Sequence, residues 1–258
     1  MCGIAGIIDF LATTPQEDLL RRMLGLIRHR GPDAFGIYMD DEAGLAHARL
    51  SILDLSGGDQ PIHNEDRTLW VVYNGEIFNY PELRRALEEQ RHQFYTQTDT
   101  EILVHLYEER GPDLFQDVNG QFAFALWDQR QKRLLLGRDR LGIRPLFYYH
   151  DGQRLVFGSE IKTLFADSRI PRVLDPQALA DIFTCWAPLG PSTAFQGIHQ
   201  LPPGHYALFS PAGMVVRPYW QLSFAPSGHT ECCDDNLIES CGTCSSMPRA
   251  SAYGPMFP

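Results

Sequence analysis

The chain opens Met1, Cys2, Gly3, Ile4, Ala5, Gly6, and the thiol at position two is the side chain best placed for chemistry. An initiator methionine before a residue as small as Cys is normally trimmed, which leaves a thiol and a free α-amine on one residue. That amine, with an ordinary pKa of about 7.7–8.0, suits a general base near neutral pH. It can take the proton that a cysteine loses before it attacks. The competing reading is a small buried hydrophobe at the edge of a first strand. The stretch reads as a poor signal peptide, because the charged start, long apolar run and cleavage site are missing.

Four further groups carry charge or amide chemistry, and each also has a plain structural reading. Arg28 and Arg30, in Arg28, His29, Arg30, Gly31, Pro32, Asp33, sit where cations favour a helix C-terminus. Arg49 closes a β-rich run. Asn74, Gly75 and Glu76 contain the Asn-Gly pair that marks hairpin turns. Asp99 falls in the first turn of an expected helix, where the dipole favours a carboxylate. Cys241 and Cys244 spell a CxxC near Cys232 and Cys233, but no His spacing completes a ligand set, so no metal site is expected.

These residues need elements to hold them. Gly3 to Asp9 reads as a buried strand. A helix from Pro15 to about Arg28 follows, opened by a Thr14/Glu17 capping box with Pro15 at its first position. Leu19, Leu20, Met23, Leu24 and Ile27 form its apolar stripe, and Gly31 and Pro32 stop it. Phe35 to Ser51 is strand, turn, strand, with the turn at Asp40 to Gly44, and Leu69 to Tyr73 is a third strand closed by Asn74 to Glu76. Helices are expected at Pro81 to His92 and Thr98 to Arg110. Four meander strands come next, Phe122 to Trp127, Leu134 to Arg138, Leu146 to Tyr149 and Leu155 to Gly158. Helices near Glu160 to Ala166 and Pro176 to Thr184 precede a last pair, His205 to Phe209 and Met214 to Arg217. Antiparallel groups with helices between them point to a layered α+β fold.

Composition narrows the function. The 258 residues are 44% hydrophobic, with no apolar run long enough to span a bilayer. A net charge of -10 without a basic cluster leaves no footprint for nucleic acid. Six cysteines, five of them beyond residue 184, do not form a secreted disulfide scaffold. A cytoplasmic location is expected.

Several stretches together resemble one family: the Cys2 terminus, RHRGPD at 28 to 33, HARLSILD at 47 to 54, NGEIFNY at 74 to 80, TDTE at 98 to 101 and GRDRLGIRPLFY at 137 to 148. From Cys2 to about Trp220 the chain is similar to the glutaminase domain of asparagine synthetase, a class II glutamine amidotransferase of the N-terminal nucleophile group. The resemblance implies a four-layer αββα sandwich of two antiparallel sheets. It implies that Cys2 attacks the side-chain amide of L-glutamine, with its own amine moving the proton and ammonia leaving. It assigns the oxyanion hole to the Asn74 side chain and the Gly75 N–H, the α-carboxylate to Arg49, and the α-ammonium to Asp99. Leu50, Ser51, Ile52 and Glu76 would line the same pocket. No cofactor is implied for this half. The intact family adds an ATP-pyrophosphatase domain that uses ATP and Mg, and its Ser-Gly-Gly-Leu-Asp-Ser loop does not occur in this sequence. Expected partners are therefore L-glutamine, that synthetase domain and, as an option, a second copy in a homodimer.

Three segments are expected: residues 2–220 as the glutaminase domain, 221–240 as linker and start of the synthetase domain, and 241–258 as a disordered tail. The tail, CGTCSSMPRASAYGPMFP, has no apolar periodicity. Shifting its codons by one base permits Leu-Arg-Asp-Leu-Leu-Val-Asp-Ala-Thr-Arg-Ile-Arg-Leu-Arg-Ala-Asp-Val-Pro, which resembles the approach to the ATP loop, so an out-of-frame translation is expected. Two other functions stay open. One is a folded but catalytically silent remnant; the other is a thiol hydrolase with His29 or His47 as base.

Overall fold

The computed structural model describes residues 1–11, 17–51, 54 and 57–223. In chain order the elements are β1 (Gly3–Asp9), α1 (Glu17–Ile27), β2 (Ala34–Met39), β3 (Ala43–Arg49), β4 (Ile62–His63), β5 (Leu69–Ile77), α2 (Tyr80–Glu89) and α3 (Ile102–Arg110). A 3-10 helix at Gly111–Gln116 leads to β6 (Gly120–Asp128), β7 (Arg133–Arg138), β8 (Phe147–His150) and β9 (Arg154–Gly158). Then come α4 (Ile161–Leu164), α5 (Pro176–Cys185), β10 (Ile198–Gln200), β11 (His205–Ser210) and β12 (Gly213–Pro218).

The strands form two six-stranded sheets, in the orders β10-β8-β9-β1-β3-β2 and β12-β11-β7-β6-β5-β4. Neighbouring strands run antiparallel. Because side chains alternate across a strand, each sheet fills two apolar layers. On β1, Ile4 and Ile8 face the other sheet, where they join Leu45, Val72, Trp127, Leu136 and Phe157. Ala5 and Ile7 face the opposite way, against the Leu19, Leu20, Met23 and Ile27 stripe of α1. On the second sheet, Val71, Tyr73 and Phe124 pack on Leu87 of α2 and on Ile102, Leu103 and Leu106 of α3. The molecule is thus the α+β, four-layer αββα sandwich, with Met1–Trp220 forming one compact unit. Among the described residues no helix is long and apolar enough to cross a membrane.

Two local expectations are corrected. Asn74, Gly75 and Glu76 do not turn; they continue β5, paired with Ala123, Phe122 and Gln121 of β6. Gly75 is needed there for close approach, since a Cβ would lie 2.2 Å from the Gln121 carbonyl oxygen and 2.7 Å from Phe122 Cα. Asp99 is not in the first turn of a helix, because α3 starts only at Ile102. The Glu101 carboxylate accepts from the Tyr95 N–H, the Thr96 N–H and the Thr96 hydroxyl at 2.8, 2.7 and 2.6 Å, which curls the chain before the helix begins. The strands β4 and β10 and the 3-10 helix were not legible as patterns. Of the expected elements and sites, Thr14 and Pro15 of the capping box, Ile52, the linker beyond Ser223 and the 241–258 tail lie outside the described residues.

Candidate active site

Strand parity gathers the predicted residues at one end of the sandwich. Cys2, just before β1, is in phase with Ile4 and Ile8; Arg49, the last residue of β3, is in phase with Leu45; and Asn74 on β5 is in phase with Val72. All three therefore belong to the faces that the two sheets turn toward each other. A cleft there is lined by Cys2, Arg49, Leu50, Gly75, Glu76 and Asp99.

The Cys2 sulfur lies against the backbone of Leu50, accepting from its N–H at 3.4 Å and facing its carbonyl oxygen at 3.6 Å. Burial pushes the thiol up from its ordinary value, while the Leu50 N–H, the chain-terminal ammonium and Arg49 pull it down. The Cys2 carbonyl oxygen accepts from Arg30 Nε at 3.0 Å, and Arg30 also pairs with Glu160 at 3.2 Å. Arg30 thus does more than complement a helix dipole: it ties the terminal residue to the loop after α1. Met1 is 55% exposed.

The outer edge of β5 supplies backbone groups to the cleft. The short β4 covers only Val71 and Trp70 of this edge, so beyond it side chains take the place of a neighbouring strand. Gln60 Oε1 accepts from the Tyr73 N–H at 2.7 Å and Asp99 Oδ2 accepts from the Ile77 N–H at 2.8 Å. Alternate residues of an antiparallel strand direct N–H and C=O to the same side. The Gly75 N–H, midway between those two, therefore points away from β6 toward the cleft. Beside it, Asn74 is 1% exposed and its Nδ2 is a buried donor with no partner. Such a donor carries a desolvation penalty of about 1–3 kcal/mol, which an acceptor arriving at this position removes.

Charge is separated along the cleft. Arg49 donates from NH1 to Asp59 Oδ1 at 2.9 Å and from NH2 to the Asp54 carbonyl oxygen at 2.5 Å, so its guanidinium is oriented from behind. Gly58 packs against it, and a Cβ there would sit 2.5 Å from NH2. Asp99 also accepts from the Tyr73 hydroxyl at 3.0 Å. Burial is the largest influence on Asp99 and, helped by Glu76, raises it to about 6 despite the Ile77 and Tyr73 hydrogen bonds. A buried carboxylate in this state gains from a cationic ligand.

The cleft also contains residues that sequence reasoning passed over: Gly58, Gln60, Tyr73, Thr98, Thr100 and Arg144. Arg144 lies within GRDRLGIRPLFY, the stretch whose resemblance gave it no role, and Gln60 follows the legible loop signal Gly57, Gly58. Ser51 is not among the lining residues; its N–H donates to Asp33 Oδ2 at 2.8 Å, joining two of the motifs. Neither His29 nor His47 lines the cleft. His29 lies 2.8 Å from Glu160 with an exposed side chain. His47 is fully buried and held neutral, its pKa lowered to about 3 chiefly by burial, with Nε2 3.1 Å from the Tyr73 carbonyl oxygen. A histidine-assisted thiol finds no support in this arrangement.

The Cys2 sulfur thus sits on the residue leading into a central strand, in a layering of two antiparallel sheets flanked by helices. Residues 1–220 match the family model of the glutamine amidotransferase domain, and the chain belongs to that family. It is 37% identical over 241 residues to the glutamine-hydrolysing asparagine synthetase 3 of Bacillus subtilis, covering 92% of this chain and 39% of that protein. Asparagine synthetase B of Escherichia coli is 44% identical over 168 residues, covering 64% of this chain and 30% of the relative. The chain thus spans between about a quarter and two fifths of the length of such relatives. Among solved structures, the glutamine phosphoribosylpyrophosphate amidotransferase of B. subtilis superposes with a TM-score of 0.60 at 18% identity, covering 86% of this chain and 50% of the other. At that identity the likeness is one of fold.

Proposed function

We propose that this chain hydrolyses L-glutamine to glutamate and ammonia, and that it is the ammonia-supplying part of a glutamine-hydrolysing asparagine synthetase. The observation that carries the reading is the buried, unpartnered Asn74 Nδ2 next to Gly75, whose outward N–H belongs to the lining of a cleft that also holds Cys2. Loss of Met1 converts the Cys2 nitrogen from an amide to an amine, and the exposure of Met1 leaves it open to that removal. The amine then accepts the thiol proton and the thiolate attacks the amide carbon. The oxygen of the tetrahedral intermediate receives hydrogen bonds from Asn74 and Gly75. Collapse breaks the carbon–nitrogen bond, the amine returns its proton to the leaving nitrogen, and ammonia departs from a thioester. Water, deprotonated by the same amine, cleaves that thioester to release glutamate. Arg49 matches the α-carboxylate of the substrate, and Asp99 with Glu76 matches its α-ammonium. The division into a 2–220 glutaminase domain and a 221–240 linker is part of the proposal. The alignment to 92% of the chain, beyond the 220 residues of the family match, supports it. The nucleotide sequence tests whether 241–258 is out of frame.

Ammonia release from glutamine by untagged protein with Cys2 at its terminus tests the function. Activity is expected, and Cys2→Ala and chemical blocking of the α-amine should each abolish it. Activity that survives amine blocking overturns the mechanism, and a folded sample that releases no ammonia fits a catalytically silent domain instead.

A further inference from the structure

Away from the cleft, on the helical side of the second sheet, four side chains from three segments converge. Glu65 follows β4, His92 follows α2, and His105 and Glu108 stand three residues apart on α3. One ligand-type atom from each lies within 4.8 Å of the others. Glu108 Oε2 is 3.4 Å from His92 Nδ1 and 3.1 Å from His105 Nδ1, and the carboxylate of Glu65 is 3.9 and 3.6 Å from the same two nitrogens. Zinc held at about 2.0–2.1 Å by four such ligands sets tetrahedral edges of roughly 3.3–3.4 Å, within the spread of these separations.

The atoms facing outward are also arranged. His92 Nε2 meets Glu109 Oε1 at 3.0 Å, and His105 Nε2 faces Glu101 Oε1 at 3.6 Å. Glu108 Oε1 accepts from Asn64 Nδ2 at 2.8 Å, and Glu65 Oε1 accepts from the Gln93 N–H at 2.9 Å. Each imidazole thus turns Nδ1 inward, with His92 Nε2 held by a carboxylate and His105 Nε2 buried without a hydrogen bond, and each inner carboxylate has a hydrogen-bonded oxygen. Outer-shell partners of this kind fix the rings and raise ligand basicity at metal sites.

We propose that Glu65, His92, His105 and Glu108 bind a zinc-class divalent transition ion. Four protein ligands make the site structural rather than catalytic. It would tie the loop after β4 and the segment after α2 to α3, whose preceding turn carries Asp99. Both imidazoles must be neutral to bind a metal, so uptake should release any protons they carry and tighten as pH rises. From the sequence no metal site was expected; only the helical spacing of His105 and Glu108 could have signalled one.

The full chain, stripped with chelator and titrated with Zn2+, should take up one equivalent and melt at a higher temperature. A variant with all six cysteines, Cys2, Cys185, Cys232, Cys233, Cys241 and Cys244, replaced by Ser should retain this uptake, which separates the site from thiol binding. His92→Ala and Glu65→Gln, each at a partly accessible position, should weaken it about 10–100-fold. Co2+ should give a tetrahedral visible spectrum without a thiolate charge-transfer band. No stoichiometric uptake, uptake lost with the cysteines, or uptake indifferent to His92→Ala combined with Glu65→Gln overturns the proposal.

Discussion

Asp99 in the cleft, and Asn74 next to its lining residue Gly75, are each held in a state that a polar ligand would relieve. Asn74 Nδ2 is a buried donor without an acceptor, so Asn74→Ala should lower kcat about 100–1,000-fold and leave KM nearly unchanged. Steady-state ammonia release measures this; a large KM effect with intact kcat would place Asn74 in ground-state binding. Asp99 gives a pH signature. Its carboxyl, ordinarily ionised above 3.8, stays protonated up to about 6 in the free protein. As pH falls through 6 the ammonium loses its counter-charge, so kcat/KM should drop toward tenfold per pH unit, and Asp99→Asn should abolish that inflection. The same shift has a stability sign. The folded state holds this proton more tightly than the unfolded chain, so the stabilisation it gives is full below the unfolded pKa and lost as pH rises through 6. Asp99→Asn should therefore raise the melting temperature at pH 7.5 while glutamine turnover collapses.

Strands, not loops, present most of this chemistry, and that decides what a sequence can reveal. Gly75→Ala places a methyl group 2.2 Å from the Gln121 carbonyl oxygen. Overpacking of this kind costs about 1–3 kcal/mol, and differential scanning calorimetry should show a melting temperature lowered by about 2–12 °C. An unchanged melting point would mean that β6 yields without cost. β1 was legible as a short continuous apolar run, while the parity that turns Cys2 and Arg49 inward with Ile4, Ile8 and Leu45 is seen only in the folded sheets. The stripe of α1 was legible because its apolar residues repeat at the helical period. Asn-Gly misled because its turn preference is local, whereas the pairing of Asn74 and Gly75 with Ala123 and Phe122 bridges nearly fifty residues. Gln60, Thr98 and Arg144 reach the cleft from three separate loops, and no short-range spacing encodes that meeting. Arg30 was visible as a cation near a helix end, but its bond to the Cys2 carbonyl oxygen is a tertiary contact.

At the scale of the molecule, the strand that follows Cys2 lies inside its sheet. β1 pairs with β3 on one side and β9 on the other, and all seven of its residues are buried. Chain ends ordinarily fray, but here the amides of Gly3 to Asp9 should exchange with the slowest class in the protein, at rates set by global opening. Fast exchange across Gly3 to Asp9 in the intact protein would mean that the terminus opens independently of the body. The pairing also imposes an order on biosynthesis. β1 finds one partner, β3, about forty residues later in the chain, but its other flank stays bare until Arg154–Gly158 has been made. Until then the Cys2 thiol sits beside an open sheet edge, where nascent chains are vulnerable to mispairing, and its enclosure is among the later events in the making of the domain.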